Sequence, residues 1–375
     1  GRIWSMRDPA IDSLFLHLLE AAIFNRPVDV SRIETLDALS WKKVIGLARQ
    51  QSVSALIADT ILSLPEEILP PREQRFQLLQ LVEKTQFLNG KLLSVLRDLT
   101  EEYTQLGIPY VLLKGPGNGA NYPKPLLRNP GDLDLLLYRK GDYERAREWI
   151  AGKGIDIVDA DGIHYKFERD GVSIENHRRI TYFDHKKYDR LFRSIEENLK
   201  REENFFLSPI GDLTVQQLPV ELNAFFIFQH LFRHFVHNGV GFRQFCDWIL
   251  FLSKHHHEID AGSFTALSQS FALLYPMQVF ARAAEKYLDV SPSIFPFATI
   301  TDDKYADKVI EDILDSGNFG FHRSGKKRPA QKLLGMWFSY TTTLRRTMKF
   351  GALSPEHCQI LPFTKLMNRL KIGFR

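Results

Sequence analysis

An α+β fold follows from three features of the 375-residue sequence. Apolar residues recur at helical spacing up to about residue 107, strand-like runs separated by turn signals fill 108–180, and helical spacing returns from Thr214. Together they predict a small mixed-sheet core flanked by N-terminal helices and a C-terminal all-helical domain. The expected boundaries are 1–107, 108–205 and 206–375. At roughly 100–200 residues per domain, the length allows two to three domains.

Asp8-Pro9 is a helix start, and Leu14, Leu16, Leu18, Leu19 and Ile23 follow with helical spacing. Ser40 is placed to cap a second helix from Trp41, and a long run from Pro71 ends at Gly107, a C′ glycine. Tyr110–Leu113 then reads as a short buried strand, broken by Gly115-Pro116-Gly117-Asn118-Gly119. Leu133–Tyr138 is a second strand. Asp142 is expected to cap a helix over 143–151, closed by Gly152 and Gly154, and Ile155–Val158 is a third strand. His164–Glu168 alternates, and Asp170-Gly171 is a two-residue hairpin signal that returns the chain through Val172–Glu175. Helices are expected over 219–237, 241–254, 260–288, 303–316 and 329–348.

Composition excludes several classes. Apolar residues at 44% and charged residues at 25% fit a globular chain rather than a disordered one. No stretch approaches the roughly 18 apolar residues of a membrane span, and Gly1–Asp8 has no apolar run of the secretory kind. Two cysteines, Cys246 and Cys358, rule out a disulfide scaffold and a cysteine-built zinc site, so a reducing cytoplasm is the expected compartment. The net charge of +4 is uneven: 320–375 holds 12 Lys and Arg against one acid, Glu356. Such a tail can meet nucleic acid or an anionic surface, or it packs on the acidic remainder or is simply solvated; without an aromatic-interleaved motif, the latter, bland reading is favoured.

The sharpest chemical feature is Arg128-Asn-Pro-Gly-Asp132-Leu-Asp134-Leu-Leu-Leu. Strand alternation puts Asp132 and Asp134 on one face and Leu133, Leu135 and Leu137 on the other. Two carboxylates so placed repel, and a hard oxygen-liganded cation, Mg²⁺ above all, relieves them. A turn explains Asp132 equally well, but Asp134 lies inside an apolar run. Lys114-Gly115-Pro116-Gly117-Asn118-Gly119 follows a strand, as phosphate-binding glycines do, but it is neither a Walker A loop nor a dinucleotide fingerprint; taken alone it reads as a plain turn, and it gains weight from its place 17 residues before Asp132. Glu175 and His177 share a face of the returning hairpin strand. On the helix near 219–237, His230, Arg233, His234 and His237 fall on one face, which either lines a cleft or is simply wet; no partner completes a zinc site there. Arg243 and Asp247 are spaced as an ion pair, and His255–Glu258 is expected to fray from a helix end.

Lys-Gly after a strand, then Arg, Gly-Asp-Leu-Asp-Leu-Leu and Ile-Glu-Asn-His resemble the uncharacterised nucleotidyltransferase family of the DNA polymerase β-like superfamily. Gly239-Val-Gly-Phe-Arg243-Gln-Phe-Cys-Asp247-Trp is similar to a segment of that family's helical part. The resemblance implies that Asp132 and Asp134 are metal-binding aspartates. It implies that Glu175 is the third carboxylate, which helps bind the metal and activate the attacking hydroxyl. Gly115 stands at the superfamily's Gly-Ser motif, but Pro116 replaces the serine. Lys114, Gly115, Gly117 and Arg128 are then the expected nucleotide contacts, and His177, His230, Arg233, His234 and Arg243 the expected acceptor cleft between the core and the C-terminal helices. The implied chemistry is in-line attack on the α-phosphorus of an NTP, with two Mg²⁺ ions and a small-molecule, glycan or protein hydroxyl as acceptor. Two alternatives stand beside it: a degenerate protein that binds a nucleotide or partner without turnover, and a nucleic-acid-directed transferase or binder.

Overall fold

The computed structural model describes residues 7–33, 36–317 and 331–373. It is an α+β fold in two compact units: residues 82–223 form one, and the described residues before 82 and after 223 form the other.

The unit of residues 82–223 is built on a mixed seven-stranded sheet. Its strands are β1 (Val111–Leu113), β2 (Leu133–Leu136), β3 (Val158–Asp159), β4 (His164–Arg169), β5 (Val172–His177), β6 (Phe206–Ile210) and β7 (Leu213–Gln217), in spatial order β3-β4-β5-β2-β1-β7-β6. β2 runs parallel to β5 and antiparallel to β1, and β4 and β5 are an antiparallel hairpin. Asp170 and Gly171 close that hairpin with φ of 50° and 77°. Positive φ at both positions matches strand twist, which is why Asp-Gly sits there. The turn fixes the register: Phe167 faces Ile174, Lys166 faces Glu175 and His164 faces His177.

Period-2 alternation gives the sheet an apolar face and a charged face. Leu112, Leu133, Leu135, Ile174, Tyr165 and Phe167 are buried together with Leu92, Val95, Leu96, Leu99 and Tyr103 of the Arg72–Gln105 helix and with Ala146 and Ile150 of the Asp142–Gly152 helix. The first set follows strand alternation and the second helical spacing, so each element presents one apolar side to a shared core. Asn176 is polar on this apolar side, and its Nδ2 donates to the hydroxyls of Tyr103 (2.7 Å) and Tyr165 (3.0 Å).

In the other unit, Phe228 of the Val220–His237 helix packs on Trp248 and Phe280, with ring centroids 5.0 and 5.4 Å apart, and Phe235 packs on Phe280 at 5.2 Å. Gln51 is fully buried and joins distant segments: its Nε2 donates to the Ile313 carbonyl, and its Oε1 accepts from the Phe242 amide. No helix among the described residues is long and apolar enough to cross a membrane.

Several elements differ from expectation. Residues 206–217, assigned by sequence to the C-terminal helices, are β6 and β7 at one end of the sheet. The segment 260–288 is two helices, Ala261–Ser270 and Leu274–Leu288, separated where Ala272 takes φ 54°. The second helix is capped by Asp37, which accepts from the Ser40 amide, so Ser40 lies inside it. Asp142 is the first residue of its helix rather than the cap; its carboxylate takes Arg145 at 2.8 Å. The third strand is only Val158–Asp159, and it is exposed. Of the basic tail, residues 320–330, 374 and 375 lie outside the described residues. Two of its other cations, Arg346 and Lys349, meet Asp312.

Candidate active site

The charged face of the sheet gathers the site. Parallel pairing sets Asp134 of β2 opposite Glu175 of β5 and Leu136 opposite His177. Asp132 precedes β2, two residues from Asp134 and on its face. Antiparallel pairing sets Leu113, the last residue of β1, opposite Asp134, so Lys114 emerges beside that carboxylate. From the other side, the hairpin delivers Lys166 opposite Glu175. Four strands, β1, β2, β4 and β5, thus converge on one patch.

Distances define an interlocked cluster. His177 Nε2 lies 2.9 Å from Asp134 Oδ1 and 3.2 Å from Glu175 Oε2. Lys114 Nζ is 3.5 Å from Asp134 Oδ1. Lys166 Nζ is 3.1 Å from Glu175 Oε1 and 3.4 Å from Asp132 Oδ2. Asp134 and His177 are each only 5% exposed, so their charges are stable only when paired.

The pairing sets the protonation of the cluster. Burial alone would raise the Glu175 carboxyl, but hydrogen bonds with His177 and Asp134 and the His177 and Lys114 charges hold it well below the carboxylate range. Burial raises the Asp132 carboxyl, and the Glu175 charge adds to this against the pull of Lys166. Burial disfavours the His177 imidazolium, yet its bonds to Asp134 and Glu175 outweigh that and raise it. Lys166 is raised too, because its bond to Glu175 and the two carboxylate charges overcome burial.

The glycine run forms a short helical turn, Gly115–Gly119, directly after Lys114. Gly115 has φ 47°, and a Cβ there would sit 3.2 Å from the Asp132 carbonyl oxygen. Glycine thus lets the turn close onto the start of β2. A Cβ on Gly117 would lie 2.2 Å from Gln217 Nε2, and one on Gly119 would lie 3.4 Å from Arg128 Cδ. These two glycines therefore accommodate β7 and the buried Arg128. The turn is not a row of open amides: the Gly117 and Asn118 N–H groups donate to the Lys114 carbonyl, and Pro116 has no N–H.

The structure therefore brings Lys114, Asp132, Asp134, Glu175 and His177 together, with Gly115 packed on the Asp132 backbone. His177, expected on an acceptor cleft, lies instead within the carboxylate cluster. His230, Arg233, His234 and Arg243 belong to the other unit and are half-buried there. His230 and His234 place their Nε2 atoms 3.1 Å apart. His255 ends its helix, and its Nδ1 is 2.6 Å from Glu258 Oε2.

Sequence reasoning missed Lys166 and His164. Counting back from Asp170-Gly171 places Lys166 opposite Glu175 and His164 opposite His177, so the turn itself held the signal. The three carboxylates are the oxygen donors that a hard divalent cation takes, and the cations now facing them show how strongly negative this patch is. In addition, His164, Glu175 and His177 place one donor atom each within 4.8 Å of one another.

The family model described as "Uncharacterised nucleotidyltransferase" matches residues 37–289, more than half of the chain. No curated protein matches it. The crystal structure of an antigenic nucleotidyltransferase-like protein from Paracoccidioides brasiliensis is similar over 54% of this chain and 95% of that one, at 14% identity and a TM-score of 0.31.

Proposed function

The chain belongs to the uncharacterised nucleotidyltransferase family, and on that premise we propose that it moves an NMP from an NTP to the hydroxyl of a small-molecule, glycan or protein acceptor. The observation that carries this reading is the register pair Asp134–Glu175, with Asp132 on the same face, in a sheet whose opposite face is apolar. On this reading Asp132, Asp134 and Glu175 hold Mg²⁺. Bound there, the ions supply charge stabilisation to the attacking and leaving oxygens of an in-line displacement. Glu175 is also the candidate acceptor of the attacking hydroxyl's proton. Lys114 and Arg128 are the candidate phosphate contacts. Side chains take that role because Pro116 lacks an amide hydrogen and the next two amides are engaged within the turn.

Calorimetric titration of each of the four NTPs, with and without Mg²⁺, tests the reading on wild type and on the Asp132→Asn/Asp134→Asn protein. Mg²⁺-dependent binding to wild type that is lost in the folded double variant is the expected result. If no NTP binds under either condition, the transfer reading fails and a partner-binding protein takes its place. If an NTP binds but no pyrophosphate is released with any acceptor, the protein is a nucleotide-binding relative without turnover.

A further inference from the structure

Glu175 faces two ways. Its Oε1 turns to Lys166, on the side of Asp132. Its Oε2 turns to two imidazoles, 3.2 Å from His177 Nε2 and 3.6 Å from His164 Nε2. The imidazoles are register partners on β5 and β4, and their rings stack with centroids 4.8 Å apart and planes at 24°. On its other side, His164 Nδ1 lies 2.8 Å from Asp161 Oδ1. His177 Nε2 also meets Asp134 Oδ1.

This arrangement is more than ion pairing. Two imidazole nitrogens turned to one carboxylate oxygen form a donor set that transition-metal ions take. His164 Nε2 and His177 Nε2 both face Glu175 Oε2, and one donor atom from each of the three residues lies within 4.8 Å of the others. A cation among them satisfies all three. Ligands at about 2.0–2.1 Å around a tetrahedral ion stand roughly 3.3 Å apart, and the separations of Oε2 from the two imidazole nitrogens bracket that value. Nitrogen donors favour a borderline transition ion over Mg²⁺.

We propose that His164, His177 and Glu175 Oε2 bind a divalent transition-metal ion of the zinc class, with solvent as the fourth ligand. Glu175 then bridges two kinds of site, oxygen-only toward Asp132 and nitrogen-containing toward the histidines. The proposal shares Glu175 with the transfer reading but rests on its own nitrogen donors.

Co²⁺ is the probe, because its visible absorption reports coordination number directly. Titrated into the full chain, it is expected to give the intense band of a four-coordinate site, to be displaced by Zn²⁺, and to survive a large excess of Mg²⁺. His164→Ala is expected to weaken Co²⁺ binding at least 100-fold. Asp161→Asn, which leaves every ligand in place, is expected to weaken it about tenfold. Asp132→Asn and His230→Ala are expected to leave it within about threefold. The proposal is overturned if wild type gives no four-coordinate band, or if a folded His164→Ala protein binds Co²⁺ as wild type does. It is overturned equally if His230→Ala removes the band, since the ion then sits on the His230–His234 pair. Should His164→Ala fail to fold, Asp161→Asn decides alone: unchanged affinity is refutation. NTP binding that fails while the Co²⁺ site persists overturns only the transfer reading.

Discussion

Replacing Lys166 by methionine keeps most of the side-chain stem and removes the charge that stands between Asp132 and Glu175. At an effective dielectric of about 20, each of its contacts, at 3.4 and 3.1 Å, has a gross attraction of roughly 5 kcal/mol. The net value is far smaller, because the Lys166 side chain is 43% exposed and such pairs contribute about 0–1 kcal/mol each. Glu175 is more enclosed, so a total of about 1–2 kcal/mol is expected. At about 2–4 °C per kcal/mol, melting without divalent ions should fall by about 2–8 °C. Mg²⁺ binding should move the other way. A dication about 5 Å from an ammonium in a water-like medium is repelled by roughly 1.5–2 kcal/mol, about tenfold in affinity. Melting at graded MgCl₂ reads both effects, because a bound ion stabilises by RT ln(1 + [Mg²⁺]/Kd). The gap between Lys166→Met and wild type should narrow as Mg²⁺ rises. A gap that stays constant or widens would show that the ammonium does not share a site with the cation, and would remove Lys166 from the active-site description.

Gly115→Ala should cost about 1–2 kcal/mol, because it places a Cβ at φ 47° against the Asp132 carbonyl, and NTP titration should show weakened binding alongside the lower melting point. Lys114 has φ 54° and ψ −146°, a conformation that only glycine adopts freely, so Lys114→Gly should melt higher than Lys114→Ala, by about 1 kcal/mol, while both lose nucleotide affinity. The Glu102 carboxyl is held below 4.5 chiefly by its hydrogen bond from Arg169, against burial. A depressed carboxyl stabilises the fold above pH 4.5, and that contribution is lost as pH falls through the folded-state value. Glu102→Gln should therefore be less stable at pH 7 and show a shallower acid limb, measured by urea midpoints at pH 7 and pH 3. In the other unit, Arg346 is 3% exposed and bonds Asp312 at 2.6 and 2.9 Å. Asp312→Ala strands that charge and should cost about 3–5 kcal/mol in chemical denaturation, most of it recovered by adding Arg346→Met.

The sequence made Asp132, Asp134 and Glu175 legible because alternation is local: a carboxylate inside an apolar strand must find a cation or a hydrogen-bond donor there. Lys166 and His164 were hidden because lysine and histidine on a hairpin strand look like a solvent face. Only the sheet order, with β5 beside β2, makes that face the charged one, and sheet order is non-local. β6 and β7 escaped for a related reason. β6 is mostly exposed and contains Pro209, so alternation marks no core face, and its pairing with β7 is betrayed only by the turn at Gly211, φ 61°. The break at Ala272 has no glycine, and its one sequence mark, Pro276 in the first turn of the following helix, is read through by helical spacing.

The glycine run takes a different role in the fold from the one its sequence suggests. Read as a sequence, Gly115, Gly117 and Gly119 suggested amides open to phosphate. In the fold, their missing side chains make room for the Asp132 backbone, Gln217 and Arg128 in turn. The turn's task is then steric. It holds Lys114 in a strained conformation at the end of β1, with Nζ 3.5 Å from Asp134, and it holds the buried Arg128 alongside. Such strain persists only where the surroundings over-determine it, and it concentrates at functional positions. Pro116 fits this design: it brings no amide hydrogen to a turn whose next two amides are already engaged within it.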